Sequence, residues 1–167
     1  MTDIATTPDQ LTPEHPQRFD WMAQVPDVFK ALLRLDAAAA KKDLPESLVN
    51  LIKVRASQLN HCAFCLDMHS KDALAAGESI ERLVQLSAWA ESKHFYTARE
   101  LAAIELTEAV TVLTDGFVSD EVYARAASEF KDDELAQVIA VVVAINAFNR
   151  FGVASRMTPG HYSGPAH

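Results

Sequence analysis

Apolar residues recur along this chain at intervals of three and four positions, and stretches of strict apolar and polar alternation are hard to find. Intervals of three and four place apolar side chains on one face of an α-helix, whereas alternation marks a strand. The pattern therefore predicts an all-α protein, a compact bundle of six or seven helices with short connections. The first helix is predicted from an apolar face formed by Val28, Leu32, Leu35 and Ala39.

Capping signals place the ends of the predicted helices. Asp43 and Pro45 predict an N-cap and a first-turn proline for the second helix. A break is predicted at Asn60 and His61, because asparagine tolerates the left-handed conformation that ends helices. A third helix is then predicted to begin at Cys62 and to stop at Gly77. Further helix starts are predicted at Ser79, Thr97, Ser119 and Asp132.

The chain of 167 residues is expected to form one domain. Residues 1–16 and 157–167 lack a periodic apolar pattern, so we interpret them as an N-terminal arm and a C-terminal tail around a single helical domain at 17–156. No linker, low-complexity block or repeat interrupts that domain. The apolar run at 135–148 is shorter than the roughly 20 residues that cross a bilayer, which predicts a buried core helix and no membrane partner.

Charge and the N-terminal sequence narrow the classes of function. The chain has 15 Lys and Arg against 23 Asp and Glu, a formal charge of −8, and its basic residues are scattered. This distribution argues against a nucleic-acid partner. The N-terminus lacks the basic flank and apolar core of a signal peptide, which predicts a cytoplasmic protein.

Two cysteines and a histidine form the candidate chemical site. Cys62, Cys65 and His69 lie on one stripe if their segment is helical. The thiolate is the reactive form of cysteine, and the pKa of a thiol falls at a helix N-terminus, beside an imidazole or in a Cys-X-X-Cys pair. The residues allow a redox site or, with His61 as a fourth ligand, a zinc site. Structural zinc sites usually draw their ligands from two separated segments, which favours the redox interpretation.

The segment at 54–70, VRASQLNHCAFCLDMHS, resembles the alkylhydroperoxidase D branch of the carboxymuconolactone decarboxylase-like family. The similarity continues through AAGE at 75–78, LSAW at 86–89 and INAFNR at 145–150. The resemblance implies an all-helical fold that assembles into homotrimers or hexamers, with the dithiol as a peroxidase or thiol–disulfide centre. It also implies that Cys65 attacks peroxide, that Cys62 resolves the intermediate and that His69 relays a proton.

One position departs from the family's redox motif, which has a glutamate as proton acceptor one helix before the cysteines. This chain has Asn50 there. An amide can orient a water or an imidazole, but it does not take up a proton at neutral pH. Glu46 lies one helical turn earlier on nearly the same face and is the candidate to replace the relay through a water. The departure leaves the expected fold unaffected and weakens the expectation of peroxidase activity.

Together these features predict a thiol-dependent peroxidase that reduces hydroperoxides through a redox-active Cys-X-X-Cys pair. The resemblance implies a hydroperoxide substrate and an external dithiol, thioredoxin-like or lipoyl-type, as reductant. Two alternatives stay open: a thiol–disulfide exchange or redox-sensing protein without peroxidase activity, and a non-enzymatic zinc-binding or assembly module. No cofactor is predicted.

Overall fold

A computed structural model describes residues 14–40 and 44–164 of the chain. Within these ranges the chain forms eight α-helices and two short 3₁₀ helices, with no strand. The α-helices are α1 (Trp21–Gln24), α2 (Pro26–Ala39), α3 (Glu46–Leu59), α4 (Ala63–Ala75), α5 (Ile80–Gln85), α6 (Ala98–Thr111), α7 (Asp120–Glu129) and α8 (Asp132–Ser155). The predicted all-α class is confirmed. The described residues form one α-helix more than the six or seven predicted, and this additional helix is the single turn of α1, which Asp20 caps.

Local capping chemistry sets most of the helix starts. The Thr97 hydroxyl accepts a hydrogen bond from the Glu100 amide, and the Glu100 carboxylate accepts one from the Thr97 amide, so α6 begins with the predicted capping box. Ser79 and Ser119 cap α5 and α7 as predicted. Pro45 stands at the N-cap of α3, one position before the predicted first turn. The predicted cap Asp43 lies outside the described residues.

The predicted break at Asn60 and His61 is confirmed as the joint between α3 and α4, but its left-handed residue differs from the one expected. Asn60 is not left-handed: its φ is −84°, and the residue with positive φ is His61, at 52°. The His61 amide donates to the Gln58 carbonyl, and the Cys62 amide donates to the Ser57 carbonyl, which is the hydrogen-bond pattern of a Schellman motif. The Asn60 side chain instead bonds to α8, so the joint is tied into the core.

Helices α3 and α8 form the centre of the bundle, and their neighbours pack around them. Helix α3 packs against α4, α6 and α8, while α8 also contacts α2. Helix α8 runs to Ser155, beyond the predicted run at 135–148, and it is long and apolar enough to span a bilayer by length and composition alone. Half of its most apolar window is nevertheless buried inside the bundle, so it is the core helix that the sequence predicted.

The two ends of the chain are covered only in part. Most of the predicted arm, residues 1–13, and residues 165–167 of the predicted tail lie outside the described ranges. The domain limits at 17 and 156 stay a prediction. Residues 157–164 have no regular secondary structure and lie against α4, where they contact the candidate site described next.

Candidate active site

A disulfide between Cys62 and Cys65 stands at the start of α4, with the two Cα atoms 5.3 Å apart. Cys62 is the N-cap of the helix, and its Sγ accepts a hydrogen bond from the Cys65 amide at 3.4 Å. The cysteines therefore lie in the first turn, as predicted, where the helix dipole favours a thiolate. Both residues are buried, with exposed fractions of 1% for Cys62 and 3% for Cys65.

An apolar pocket of about 210 Å³ gives access to one of the two cysteines. Cys65 and His69 lie in its wall, and Cys62 does not. The remaining lining is mostly aromatic, aliphatic and thioether side chains: Trp21, Met22, Phe29, Leu33, Phe64, Met68, Phe148 and Met157, with Asp36 at one side. The Trp21 ring stacks on Phe151 at a centroid distance of 4.1 Å, which fixes one wall.

A second, more open and polar cleft of about 580 Å³ is also lined by His69. Glu46 and Asn50 line it together with His69, so the structure brings the two predicted relay positions into one cavity with the histidine. Glu46 is exposed, whereas Asn50 is only 7% exposed. The Asn50 Nδ2 atom is buried and has no hydrogen-bond partner among the described residues. His69 therefore borders both the apolar pocket and the polar cleft, as do Asp36 and Met68.

The electrostatic surroundings of His69 favour a neutral imidazole. Burial lowers the pKa of His69 below its ordinary value, and the Lys53 ammonium acts in the same direction. Asp72 opposes them: its Oδ2 lies 3.7 Å from His69 Nδ1. Lys53 itself pairs with Asp36 at 2.8 Å. A neutral imidazole has the protonation state that a proton acceptor needs.

The backbone of α8 approaches the disulfide at Gly152. A β-carbon built on Gly152 would stand 2.8 Å from Cys62 Sγ and 3.4 Å from Cys65 Sγ. Such a contact is closer than packed atoms tolerate, so the absence of a side chain leaves room for the two sulfurs. Sequence reasoning missed this residue, although a glycine inside an apolar helical run is a signal of close packing.

A buried polar network holds the joint that carries Cys62. Asn60 Nδ2 donates to the Ala56 carbonyl at 3.0 Å, to Asn146 Oδ1 at 3.0 Å and to Asn149 Oδ1 at 2.9 Å. Asn149 Nδ2 donates in turn to Ser57 Oγ at 3.1 Å. The network joins the end of α3 to α8 directly before the first cysteine, and so positions the start of α4.

The amino-acid sequence of this chain matches a known protein family. The family model described as the carboxymuconolactone decarboxylase family matches residues 26–109, about half of the chain. The chain belongs to this family.

Relatives and solved structures place the chain within the carboxymuconolactone decarboxylase family. The uncharacterized protein YdfG of Bacillus subtilis is 33% identical over 138 residues, 83% of this chain and 93% of that protein. A crystal structure of an Agrobacterium tumefaciens protein of unknown function, described as a candidate antioxidant defence protein AhpD, has a similar fold. Its sequence is 31% identical and its TM-score is 0.84, and the match covers 88% of this chain and 100% of that chain. The predicted alkylhydroperoxidase D-like branch is thereby confirmed.

A more distant solved structure shares the fold. An uncharacterized peroxidase-related protein from Ralstonia eutropha, described as an alkylhydroperoxidase AhpD core, has a TM-score of 0.73 at 19% identity. The match covers 84% of this chain and 74% of that one. The all-α fold of the carboxymuconolactone decarboxylase family is thus kept while most residues change.

The zinc alternative has no geometric support in this family member. Cys62 and Cys65 are bonded to each other rather than arranged around an open position. Within the described ranges, no group of three or more His, Cys, Asp or Glu side chains is arranged to hold a metal ion. The disulfide and the family membership instead fit a redox role.

Proposed function

We propose that the protein is a thiol-dependent peroxidase that reduces hydroperoxides by cycling Cys62 and Cys65 between dithiol and disulfide. The observation that carries the proposal is the position of Cys65. It belongs to a disulfide at a helix N-terminus and lines an apolar pocket together with His69. A hydroperoxide in that pocket meets a sulfur atom and an imidazole in the same wall.

The proposed reaction has three steps. The Cys65 thiolate attacks the distal oxygen of the hydroperoxide, the O–O bond breaks, and the leaving alkoxide takes a proton to become an alcohol, which leaves Cys65 as a sulfenic acid. The Cys62 thiol then displaces water from that sulfenic acid and forms the disulfide. An external dithiol finally reduces the disulfide through a mixed disulfide and is itself oxidised to a disulfide.

The burial of the two sulfurs limits which kind of reductant can reach them. Thiol–disulfide exchange requires that the attacking thiolate reach one sulfur in line with the S–S bond. Cys62 is buried and absent from the pocket wall, so Cys65 is the sulfur that an outside thiol meets first. A slender lipoyl-type arm suits the 210 Å³ pocket better than a broad thioredoxin-like surface. We place this exchange in the cytoplasm, where dithiol reductants are maintained.

His69 is the proposed proton carrier between the two cavities. As a neutral imidazole it accepts the thiol proton, which lowers the free-energy cost of forming the thiolate, and it returns the proton to the leaving oxygen. Asn50 cannot accept a proton from His69. Exposed Glu46, at the other end of the polar cleft, is then proposed to exchange protons with the cleft through water.

The second candidate function is thiol–disulfide exchange or redox sensing without peroxidase activity. The specific observation that favours it is the buried amide of Asn50 at the relay position. Exchange with another disulfide needs a thiolate at Cys65 but releases no alkoxide that requires a proton. Loss of the relay therefore slows peroxide reduction more than it slows exchange.

A stopped-flow experiment separates the two candidates. The reduced full-length protein is mixed with cumene hydroperoxide, and free thiols are counted as a function of time. We expect two thiols to be lost for each hydroperoxide consumed, and Asn50→Glu to raise the rate about tenfold or more by restoring a proton acceptor. In parallel, reduced protein is mixed with an oxidised small dithiol to measure exchange.

Matched cysteine variants assign the two sulfurs. Cys65→Ser is expected to abolish hydroperoxide consumption. Cys62→Ser is expected to react once and stop at a sulfenic acid that dimedone traps. If the reduced protein loses thiols with the oxidised dithiol but not with the hydroperoxide, the exchange function is favoured. Stoichiometric zinc in the purified reduced protein, with no titratable thiol until a chelator is added, would reject both redox proposals.

A further inference from the structure

We propose that Asp72 is the carboxylate that positions His69 in this site, and that Tyr162 of the C-terminal segment holds Asp72 in place. This inference deepens the proposed function, since a positioned imidazole serves the thiol chemistry. It concerns a side chain on α4 itself rather than the relay position on α3.

The first observation is the geometry of the pair. Asp72 follows His69 by three positions on α4, the spacing at which helical side chains meet. Asp72 Oδ2 lies 3.7 Å from His69 Nδ1, an ion-pair distance when the ring is protonated. His69 is 7% exposed and the Asp72 side chain is 28% exposed, so solvent screens the pair only in part.

The second observation is that the other oxygen of the same carboxylate is occupied. The Tyr162 hydroxyl donates to Asp72 Oδ1 at 2.5 Å. This bond holds the Asp72 side chain so that Oδ2 stays directed to the imidazole. Since Tyr162 lies 90 positions along the chain from Asp72, the contact is made by tertiary folding.

The segment that supplies Tyr162 is itself fixed on α4. Lys71 Nζ donates to the Tyr162 carbonyl at 2.7 Å, and the Gly160 amide donates to Asp67 Oδ2 at 3.0 Å. Lys71 also pairs with Asp67 at 2.7 Å. Two anchors on one helix thus place the phenol over the polar cleft.

The third observation is the state of the other charged groups around His69. From α2, Asp36 is paired with Lys53 of α3 at 2.8 Å. Also from α3, Glu46 is exposed and Asn50 carries no charge. Among the carboxylates that line the described part of this cleft, Asp72 is therefore the one whose oxygen lies within ion-pair range of the imidazole.

The expected consequence is a fixed tautomer. A carboxylate beside Nδ1 favours the proton on that nitrogen, which leaves Nε2 as the basic nitrogen, and it stabilises the imidazolium once a thiol proton arrives. The contact with His69 lowers the pKa of Asp72, and the bond to Asp72 raises the pKa of Tyr162 to about 12. Asp72 therefore remains ionised and Tyr162 remains a donor through the neutral range.

The test reads His69 directly by nitrogen NMR of the full-length oxidised protein, so it does not depend on peroxidase activity. The His69 signal is assigned by its loss in His69→Gln. In the parent, the Nδ1–H tautomer is expected to dominate. In Asp72→Asn, we expect the pKa of His69 to fall and the tautomers to become mixed. Tyr162→Phe keeps the carboxylate of Asp72 but leaves it free to rotate. This variant should change the pKa and the tautomer ratio of His69 in the same direction as Asp72→Asn, but by a smaller amount.

Asp67→Asn is the matched control, because it removes a carboxylate from the same helix that pairs with Lys71 and a backbone amide rather than with His69. Its effect reaches His69 only through the segment that carries Tyr162, so it should shift the tautomer and pKa of His69 no more than Tyr162→Phe does. A tautomer and pKa of His69 that stay unchanged in both Asp72→Asn and Tyr162→Phe would overturn the inference. So would an Asp67→Asn variant that shifts His69 as much as Asp72→Asn does.

The outcome is separable from that of the proposed function. A protein inert to hydroperoxide whose His69 responds to Asp72→Asn would reject the peroxidase and keep the positioning role. If the peroxidase is confirmed, the rate of thiol oxidation in Asp72→Asn should drop about 10- to 100-fold, and its dependence on pH should move to lower pH with the His69 pKa.

Discussion

Gly152 shows how a single residue on one helix limits the chemistry at the start of another. It is buried, and the two sulfurs occupy the space that a side chain on it would fill. A side chain on Gly152 would be held between the backbone of α8 and a disulfide whose two cysteines are three positions apart. Neither the helix backbone nor the disulfide can move far. The position therefore tolerates glycine alone without displacing the cysteines.

We predict that Gly152→Ala destabilises the oxidised protein by about 1 to 3 kcal/mol through overpacking against Cys62 Sγ. The measurement is urea unfolding of the oxidised protein. Val153→Ala, an exposed neighbour on the same helix, should stay within about 0.5 kcal/mol of the parent. A Gly152→Ala protein as stable as the parent would show that the sulfurs move aside at no cost.

At the scale of elements, the hydrogen bonds between the end of α3 and α8 set where α4 begins. Asn149 is completely buried, and its side chain both accepts from Asn60 and donates to Ser57. Removing one member of such a network leaves other polar groups buried without partners, and that penalty exceeds the value of the bond itself. The end of α3 is thus coupled to α8 through side chains, directly before α4 begins.

We predict that Asn149→Ala lowers the free energy of unfolding by about 1 to 3 kcal/mol, because Ser57 Oγ loses the amide that donates to it and Asn60 loses one of its three acceptors. The double variant Asn60→Ala with Asn149→Ala should cost clearly less than the sum of the two single variants. Both are measured by urea unfolding. Additive costs would mean that the two residues act independently.

At the scale of the whole molecule, stability should depend on pH through the buried histidine. The folded protein lowers the pKa of His69, chiefly by burial, below the ordinary value of 6.5. The unfolded chain then binds a proton at a higher pH than the folded one does. The stability that the neutral ring contributes is therefore present above about pH 6.5 and is lost as the pH falls toward the folded pKa.

We predict that the free energy of unfolding falls between pH 7.5 and pH 5.5, and that His69→Gln makes this fall smaller. The range lies above the titration of most carboxyl groups, so their contribution is small. His94→Gln removes an exposed histidine and should keep the slope of the parent. A His69→Gln protein with the parent's slope would contradict the assignment.

The assembly of several chains is a second property of the whole molecule. Helix α2 forms where the sequence predicts it, yet two residues of its apolar face, Val28 and Leu35, remain 44% and 37% exposed in the single chain. Leu33 of the same helix is 46% exposed. Apolar side chains grouped on one helix are typical of a contact between subunits. We therefore propose that α2 contributes to the homotrimer or hexamer that the resemblance implies.

We predict a native mass of three or six chains by light scattering coupled to gel filtration. The double variant Val28→Glu with Leu35→Glu should dissociate the assembly, because it places two charges on that face. Lys30→Glu puts the same residue on the opposite side of α2 and should leave the mass unchanged. A monomeric parent would reject the proposal.

The sequence alone was sufficient for the features that depend on neighbours along the chain. The capping box of Thr97 and Glu100, the cap at Ser119 and the position of the cysteines in the first turn of α4 were all predicted. Each depends on hydrogen bonds or side-chain spacing within about four residues, and the chain itself brings such residues together. The choice of the left-handed residue at the joint was wrong, since Asn60 is held by α8 and His61 takes the strained conformation instead.

Tertiary structure alone decided the environment of the site. It placed Gly152 against the sulfurs, put His69 between an apolar pocket and a polar cleft, and brought Tyr162 to Asp72 from 90 positions away. The predicted positions Glu46 and Asn50 do meet His69 in that cleft. The spacing of His69 and Asp72 on α4 is a local signal, but the bond from Tyr162 that holds Asp72 there is not. Burial and contacts between distant residues follow from how helices pack, and no short segment carries that information.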